Sequence, residues 1–437
     1  MTCALALPTL WRSGGDPALT SVAPVVQKSP ELRQTPRYAV REHRITGSVI
    51  DSSTSLLQRA DGHLVSFATG STPADALPAH VMRELSSVVL AEAGAAALNY
   101  GPTEGERDLR AALLELLAAK HELVDEDELL ITSGGMQGLD LACKLFVDPD
   151  DLVVVESPTY TNALATIASY EGTFLEVPVD AEGLRVDLLP GLVRRAGRTP
   201  RLVHVIPNNQ NPTGVTLSLE RRIALLSFAD EWDALVLEDD PYAWLRFDGE
   251  QLPSLYGLDT AGRVVAVNTF SKILAPGLRV GWMLAPPPVI GRMRAAKQGM
   301  DTCTNVLGQR LIAEFLRRGL MEAHLDHLRR DYREKKETMD AALVASFGDL
   351  ASVTWTDPAG GVFLWLQLSP EVDADRLART ALEHGVAVIA GTAFSSGAEF
   401  AHAVRLCFSS PHRTEIHEGV RRLRAAFDQL YDPPGDR

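Results

Sequence analysis

The chain has 437 residues, of which 46% are hydrophobic and 23% are charged, a composition ordinary for a globular protein with more than one domain. Its net charge of −15 argues against a nucleic-acid-binding surface, which requires a basic face. We also expect no membrane span, since no apolar run approaches about 18 residues. The four cysteines are widely spaced, which is typical of the reducing cytoplasm, and without a CxxC pair or an HExxH motif we expect no metal site.

Residues 1–45 are rich in Pro, Ser, Thr and Gly and lack hydrophobic periodicity, so we predict a flexible N-terminal arm. Amphipathic periodicity then predicts helices at 103–121, 137–146, 217–231 and 322–345. Short apolar runs that end in turn residues predict buried strands at 129–132, 152–156, 202–206, 234–238, 264–268 and 280–285.

This alternation of strands and helices predicts an α/β fold, with a large domain at 90–320 whose mostly parallel sheet is flanked by helices. A second alternating region, 353–368 and 386–409, predicts a smaller α+β domain built from 46–89 and 321–437. Ligands of parallel sheets bind at the carboxyl ends of the strands. The polar motifs of this chain follow those ends, so we expect one site there.

The segment after the strand at 264–268 carries Lys272 with the hydroxyls of Thr269 and Ser271 and the guanidinium of Arg279. This combination is typical of a pyridoxal phosphate site. The lysine amine forms a Schiff base with the aldehyde of the cofactor, and the hydroxyls and the arginine hold its phosphate. A surface ion pair is the alternative for Arg279, although its neighbours in the sequence are apolar.

A Gly-rich turn at the start of a predicted helix supplies the rest of a phosphate site. Gly134 and Gly135, which precede Met136, allow close backbone approach, and the helix N-terminus offers free N–H groups and a favourable dipole. A Gly-rich turn without other evidence is often only a structural connection between two elements and not a phosphate site.

Polar side chains that follow two other strands suit the cofactor ring. Asp239 would keep the pyridine nitrogen protonated, and Tyr242 would bond the phenolic oxygen of the ring. Asn211, in a tight loop fixed by Pro and Gly, would reach the same oxygen, and Tyr160 could stack on the ring. The alternative for the segment with Asp239 and Tyr242 is a solvated acidic turn. For Asn211 it is a polar turn, and for Tyr160 a packed aromatic side chain.

Arg405 lies in an otherwise apolar strand, where a lone arginine usually has an anionic partner. An arginine fork binds the carboxylate of an amino acid in bidentate fashion. We therefore expect Arg405 to bind the substrate.

With these residues in order, the chain resembles the fold-type I pyridoxal phosphate enzymes, and among them the class I/II aminotransferases of the aminoadipate-aminotransferase-like branch. The resemblance covers residues 60–430 and implies an aspartate-aminotransferase-like fold. Six strings carry it: NYGPTEG (99–105), ESPTY (156–160), NNQNPTG (208–214), EDDPY (238–242), TFSK with PGLRVGW (269–282) and AVRLCFS (403–409). The chain departs from the pattern at Gly135 and Met136, where relatives often carry Ser, Thr or Gln.

The resemblance implies roles for the matching residues. Lys272, Asp239 and Tyr242 would be catalytic, and Asn211 and Gly70 would join Arg405 at the substrate. Tyr100 resembles the tyrosine that reaches the phosphate of the neighbouring subunit, which implies a homodimer with shared sites.

These observations favour an aminotransferase that acts on an α-amino acid and a 2-oxo acid. The same residues are compatible with pyridoxal phosphate enzymes that use the carbanion for elimination, replacement, cyclisation or C–C bond formation. Some transcription regulators also carry such a domain behind a DNA-binding domain, but the first 60 residues lack basic helical patterning.

Overall fold

The structure, a computed structural model, describes residues 37–47 and 64–431. Of the predicted N-terminal arm, residues 1–36 lie outside the described residues, so the arm stays a prediction. Short 3-10 helices cover Val40–Arg44, Gly94–Leu98, Glu126–Glu128, Val186–Leu188, Ala243–Leu245, Pro276–Leu278 and Gly391–Phe394.

Twelve α-helices occur in the described part of the chain. They cover Ala79–Ala93, Arg107–Ala119, Gly135–Phe146, Thr161–Ser169, Leu189–Ala196, Leu219–Glu231, Leu255–Leu258, Pro287–Gln298, Val306–Arg317, Leu320–Phe347, Ala374–Glu383 and Arg413–Tyr431. None of these helices has the length and apolar character needed to cross a membrane.

Fourteen strands, β1 to β14 in chain order, lie in the same described ranges. They are Val65–Ser66, Leu129–Thr132, Leu152–Ser157, Thr173–Asp180, Gly183–Leu184, Pro200–Val205, Leu235–Asp239, Val264–Thr269, Gly281–Leu284, Thr354–Trp355, Phe363–Gln367, Val386–Ala387, Ile389–Ala390 and Ala403–Cys407.

The largest sheet has eight strands in the order β2-β9-β8-β7-β6-β3-β4-β5. Strands β8, β7, β6, β3 and β4 are parallel to one another, and β9 runs antiparallel to both β2 and β8. The predicted mostly parallel sheet is thereby confirmed. The carboxyl ends of β6, β7 and β8 meet at one edge of the sheet.

The central strands are apolar because helices cover both faces of the sheet. Val153 and Val155 of β3 join one hydrophobic cluster with residues of the helix Gly135–Phe146. Val154, which points to the opposite face, joins another cluster with residues of the helix Leu219–Glu231. This two-sided burial explains why the sequence of β3 reads as a continuous apolar run.

A four-stranded antiparallel sheet in the order β10-β11-β14-β13 follows the long helix Leu320–Phe347. Strand β1 pairs with β12, and the N–H of Cys407 donates to the carbonyl oxygen of Phe67, so residues 65–67 lie beside the C-terminal strands. The smaller α+β region is confirmed as a fold element, whereas the domain boundaries stay a prediction.

All six predicted strands are confirmed, with ends within about two residues, as expected when boundaries are read from sequence. The helix predicted at 103–121 begins only at Arg107, because Gly105 has a φ of 110° and its N–H closes a turn on Pro102. Strand β4, which lies next to the short edge strand β5, was missed because it lacks a continuous buried run.

A buried arginine fastens the loop that follows β6 to the neighbouring helix. Arg222 is fully buried and donates to the carbonyl oxygens of Leu217, Pro253 and Pro207 at 2.7 to 3.0 Å. It also donates to Oδ1 of Asn208 at 2.7 Å. The guanidinium therefore satisfies four acceptors at the edge of the sheet, three of them buried.

Replacing Arg222 with Met should leave these acceptors without donors and lower the free energy of unfolding by about 3 kcal/mol. Urea denaturation followed by circular dichroism measures this change. Arg194→Met, at an exposed position on the helix Leu189–Ala196, is the control and should change stability by less than about 0.5 kcal/mol. Equal stability of the two variants would contradict the anchoring role of Arg222.

Candidate active site

A cleft of about 320 Å³ lies at the carboxyl ends of the parallel strands. Loops that follow β6, β7 and β8 meet there with residues from the helix Gly135–Phe146 and from β11 and β14. The lining residues are Thr69, Gly70, Ser71, Gly135, Met136, Leu139, Tyr160, Asn162, Ile206, Asn211, Asp239, Pro241, Tyr242, Thr269, Ser271, Lys272, Pro276, Arg279, Phe363 and Arg405.

Lys272 lies on the turn after β8 and points into this cleft. Its Nζ donates a hydrogen bond of 2.8 Å to the carbonyl oxygen of Gly70. Burial lowers the pKa of the Lys272 ammonium to about 8, and the positive charges of Arg405 and Arg279 act in the same direction. The amine is therefore deprotonated, and nucleophilic, in a much larger fraction than an ordinary lysine at neutral pH.

Hydroxyls and a guanidinium form an anion-binding group beside Lys272. The Oγ1 of Thr269 donates to Oγ of Ser271 at 2.9 Å, and Nη1 of Arg279 donates to the same Oγ at 3.2 Å. A Cβ on Gly134 would lie 2.4 Å from Nη2 of Arg279, and Gly134 has a φ of 83°. Only glycine fits this position, since both the space and the backbone conformation exclude a side chain.

The helix Gly135–Phe146 begins at this group with no side-chain cap on its first turn. Its free N–H groups and its positive dipole end suit a phosphate. Gly135 and Met136 line the cleft here, and the hydroxyl of Tyr160 lies 3.8 Å from Sδ of Met136.

The three acidic residues at the end of β7 have different surroundings. Asp239 lines the cleft, whereas Glu238 accepts two backbone N–H bonds of 2.8 and 2.9 Å from the helix Leu255–Leu258. Asp240 accepts hydrogen bonds from Asn208 Nδ2 at 2.7 Å and from a backbone N–H at 3.0 Å. Only Asp239 offers its carboxyl group to a ligand in the cleft, because the two flanking acids cap backbone and loop groups.

Burial raises the pKa of the neighbouring carboxyl groups. The pKa of Glu238 rises to about 8 and that of Asp240 to about 6. Glu156 at the end of β3 also has its pKa raised to about 8, although hydrogen bonds from the Ile206 N–H and from Gln210 oppose the shift. Glu156 and Glu238 are therefore largely neutral at pH 7.

The loop after β6 is held by its own side chains, which fixes the position of Asn211. Gln210 donates to the carbonyl oxygen of Pro158 at 2.7 Å and accepts from the hydroxyl of Thr213 at 2.6 Å. Asn211 Oδ1 then accepts a 2.9 Å hydrogen bond from Nη1 of Arg405. The amide of Asn211 and the guanidinium of Arg405 are thus parts of one arrangement.

Arg405, in the middle of β14, is 1% exposed and has no acidic partner among the described residues. Its Nη2 donates to the carbonyl oxygen of Ala68 at 2.5 Å, and its guanidinium lies 4.1 Å from the centre of the Phe363 ring and 5.0 Å from that of Phe394. Its Nε is buried and unpaired. Burial lowers the pKa of the Arg405 guanidinium to about 10, so the group is a buried cation that lacks an anion.

Gly70 and Tyr242 contact the same aromatic ring. A Cβ on Gly70 would lie 2.4 Å from Cζ of Phe363, which excludes a side chain there. Tyr242 packs edge-on against Phe363 with ring centres 6.0 Å apart, and burial raises the pKa of its phenol well above the usual value. Its hydroxyl is therefore a neutral hydrogen-bond donor at the cleft.

The structure brings together eleven of the thirteen predicted site residues in this cleft: Gly70, Gly135, Met136, Tyr160, Asn211, Asp239, Tyr242, Thr269, Lys272, Arg279 and Arg405. Gly134 lies directly behind Arg279. Tyr100 does not line the cleft and is 82% exposed, so its role stays a prediction.

Sequence reasoning missed Phe363, which lines the cleft, and His204, which lies behind Asp239. Phe363, which contacts Arg405, Gly70 and Tyr242, had no signal, since one aromatic residue in an apolar strand is ordinary. His204, a single histidine inside the apolar strand β6, showed the same pattern that identified Arg405. Its Nε2 lies 3.6 Å from Oδ2 of Asp239.

The chain is similar to known proteins of one family. A model of the family described as aminotransferase class I and II matches residues 63–423. The 2-aminoadipate transaminase of Thermus thermophilus is 38% identical over 390 residues, which cover 89% of this chain and 95% of the relative. The aromatic-amino-acid aminotransferase 1 of Thermococcus litoralis is 34% identical over 400 residues, covering 91% and 95%.

Among solved structures, the kynurenine aminotransferase of Pyrococcus horikoshii in complex with PMP is similar to this chain with a TM-score of 0.85. The two sequences are 34% identical, and the match covers 90% of this chain and 97% of that one.

The lowered pKa predicts a pH dependence for the reactivity of Lys272. Reductive methylation with formaldehyde and cyanoborohydride requires the neutral amine, so its rate at Lys272 should rise with pH to a plateau with a midpoint of about 8. Peptide mass spectrometry measures the rate, and N-acetyl-lysine in the same solution should titrate near about 10.4. A common midpoint for both amines would contradict the effect of burial on Lys272.

Proposed function

The chain belongs to the class I and II aminotransferase family, and from that membership we propose that this cleft uses pyridoxal 5′-phosphate to transfer an amino group between an α-amino acid and a 2-oxo acid. The observation that carries the proposal is the position of the Lys272 amine. It lies in one cleft with an anion-binding helix end, with the carboxyl group of Asp239 and with the unpaired cation Arg405.

The residues present fit the phosphate of this cofactor. The first N–H groups of the helix Gly135–Phe146, the hydroxyls of Thr269 and Ser271 and the guanidinium of Arg279 would hold it. With Gly135 and Met136 in this turn, backbone amides supply more of the contacts than side chains do. The glycine required at Gly134 keeps the arginine close to the helix end.

The residues around the rest of the cleft fit the ring. Asp239 would face the ring nitrogen, where an acidic side chain keeps that nitrogen protonated. Tyr242 and Asn211 would hydrogen-bond the ring oxygen, since the Tyr242 phenol stays protonated and Asn211 is fixed by its loop. Tyr160 lines the face of the cleft beside Met136 and would stack on the ring.

When bound, the cofactor supplies an aldehyde carbon that takes an amine and a ring that withdraws electrons from the substrate's α-carbon. Lys272 would hold the cofactor through its amine. Its Nζ, once free and deprotonated, would take a proton from the α-carbon of the substrate and later return one. General-base help of this kind typically contributes about 10²–10⁴-fold to the rate.

Arg405 and Gly70 would bind the substrate. The guanidinium of Arg405 has an unpaired Nε and no carboxylate partner in the described part of the chain, so the α-carboxylate of an amino acid would complete it. Asn211 fixes the orientation of the guanidinium through its 2.9 Å hydrogen bond. Gly70 lets the Phe363 ring pack against its backbone, and its carbonyl oxygen accepts the hydrogen bond from Lys272.

We place the working enzyme in the cytoplasm as a homodimer with shared active sites. The exposed position of Tyr100, outside its own cleft, is what a residue that serves the partner's phosphate requires. The free thiols of Cys143, Cys303 and Cys407 suit a reducing compartment. The donor and acceptor belong to the general classes that the relatives' names suggest, an α-amino acid and a 2-oxo acid.

Lys272→Ala tests the proposal directly. The variant should lose the visible absorbance of the lysine-bound cofactor and nearly all turnover, because no other amine of the cleft can move the α-proton. Lys144→Ala, at an exposed helix position, should behave like the wild type.

Absorbance spectra are recorded before and after an amino acid is added without an oxo acid. Full activity of the Lys272→Ala variant would contradict the assignment. If no amino acid converts the wild-type cofactor to its amine form, transamination itself is wrong.

Arg405→Lys should raise KM for amino acid donors by about 10- to 100-fold with a much smaller change in kcat, because a bidentate contact becomes a single one. Steady-state kinetics measure both constants. A primary amine without a carboxylate, such as benzylamine, is the matched control and should react with the cofactor equally well in both proteins. Unchanged KM for amino acids would mean that Arg405 does not bind the carboxylate.

A further inference from the structure

His204 is a polar side chain inside an apolar layer. It lies on β6, where it pairs with Val155 of β3 and Leu237 of β7, and it is fully buried. Because paired residues of parallel strands share a face, and so do residues two apart, His204 lies on the same face of the sheet as Asp239. The imidazole ring of His204 therefore lies directly behind the carboxyl group of Asp239, which lines the cleft.

Neither ring nitrogen of His204 has a hydrogen-bond partner among the described residues. Nearly all buried polar atoms of folded proteins are paired, so an unpaired imidazole requires an explanation. An apolar residue of similar size would satisfy the packing of this layer better. The histidine therefore points to a function rather than to stability.

The nearest carboxylate to His204 is that of Asp239, with 3.6 Å between Nε2 and Oδ2. A shift of about 0.6 Å brings this pair to a normal hydrogen-bond length. Asp239 accepts no hydrogen bond from the described residues. Glu156, the other carboxyl group close by, already accepts from the Ile206 N–H and from Gln210 at 3.0 and 3.3 Å.

We infer that His204 is a positioning residue that donates from Nε2 to Oδ2 of Asp239 and so turns the other carboxylate oxygen toward the ring nitrogen of the cofactor. The inference rests on the proposed function, because it needs a cationic ring in the cleft. His204 itself does not contact the cleft, and it acts only through Asp239.

The test measures the dissociation constant of pyridoxal phosphate for cofactor-free protein by absorbance titration. His204→Phe should weaken binding by about tenfold, because a hydrogen bond to a charged group is lost. His204→Gln places an amide donor near the position of Nε2 and should stay within about threefold of the wild type. In the Asp239→Ala background, His204→Phe should have less than about a twofold further effect, since the acceptor of the proposed hydrogen bond is already absent.

The matched control is His324→Phe, since Nε2 of His324 is also buried and unpaired but the residue lies on the helix Leu320–Phe347 away from the cleft. It should bind the cofactor like the wild type. The cofactor-free His204→Phe protein should melt no lower than the wild type, because Nε2 lies 3.6 Å from Asp239 and makes no hydrogen bond there, and the proposed bond forms only when the cofactor binds.

Three results would overturn the inference: wild-type affinity in His204→Phe, an equal loss in the Asp239→Ala background, or a lower melting temperature of the cofactor-free His204→Phe protein. Failure of the wild type to bind pyridoxal phosphate is a different pattern. That result would refute the proposed function and the inference together. If the wild type binds pyridoxal phosphate and His204→Phe binds it equally well, only the inference is refuted.

Discussion

The parallel register of β6, β7 and β8 is the constraint on which the cleft depends. Because the three strands run the same way, their carboxyl ends share one edge, and each following segment delivers one group: Asn211, Asp239 and Lys272. The alternation of side chains along β7 sends Asp239 into the cleft, while its two acidic neighbours meet backbone and loop donors. The positions of these three groups therefore follow from the direction of the strands and from the alternation of side chains along them.

The charges of the cleft explain why it suits an anionic cofactor and an anionic substrate. Lys272, Arg279 and Arg405 line it, and Asp239 is the single acidic residue among the described lining residues. Burial makes unpaired cations costly, and the lowered pKa of Lys272 and of Arg405 expresses that cost. A phosphate near Arg279 and a carboxylate near Arg405 would supply the missing negative charges, while Lys272, with its pKa lowered to about 8, loses its proton more readily than an ordinary lysine.

Much of this arrangement could be predicted from the sequence because its residues occur in short segments with local signals. Gly134 stands at the start of a helix and Asp239 ends an apolar strand, and such patterns are local. Contacts between distant segments have no such signal: Phe363 packs on Arg405 and on Gly70 although these residues are far apart in the chain. The sequence shows His204 as a single polar residue in an apolar strand. Only the pairing of β6 with β7 shows that it lies next to Asp239.

The central claim is that one lysine of the chain carries the cofactor. Borohydride reduction of the protein purified with pyridoxal phosphate, followed by peptide mass spectrometry, tests it most directly, because reduction makes the bond between amine and cofactor permanent. We expect a phosphopyridoxyl group on the peptide that contains Lys272, in a stoichiometry near one per chain. A label on another lysine, or a protein that remains unlabelled, would contradict it.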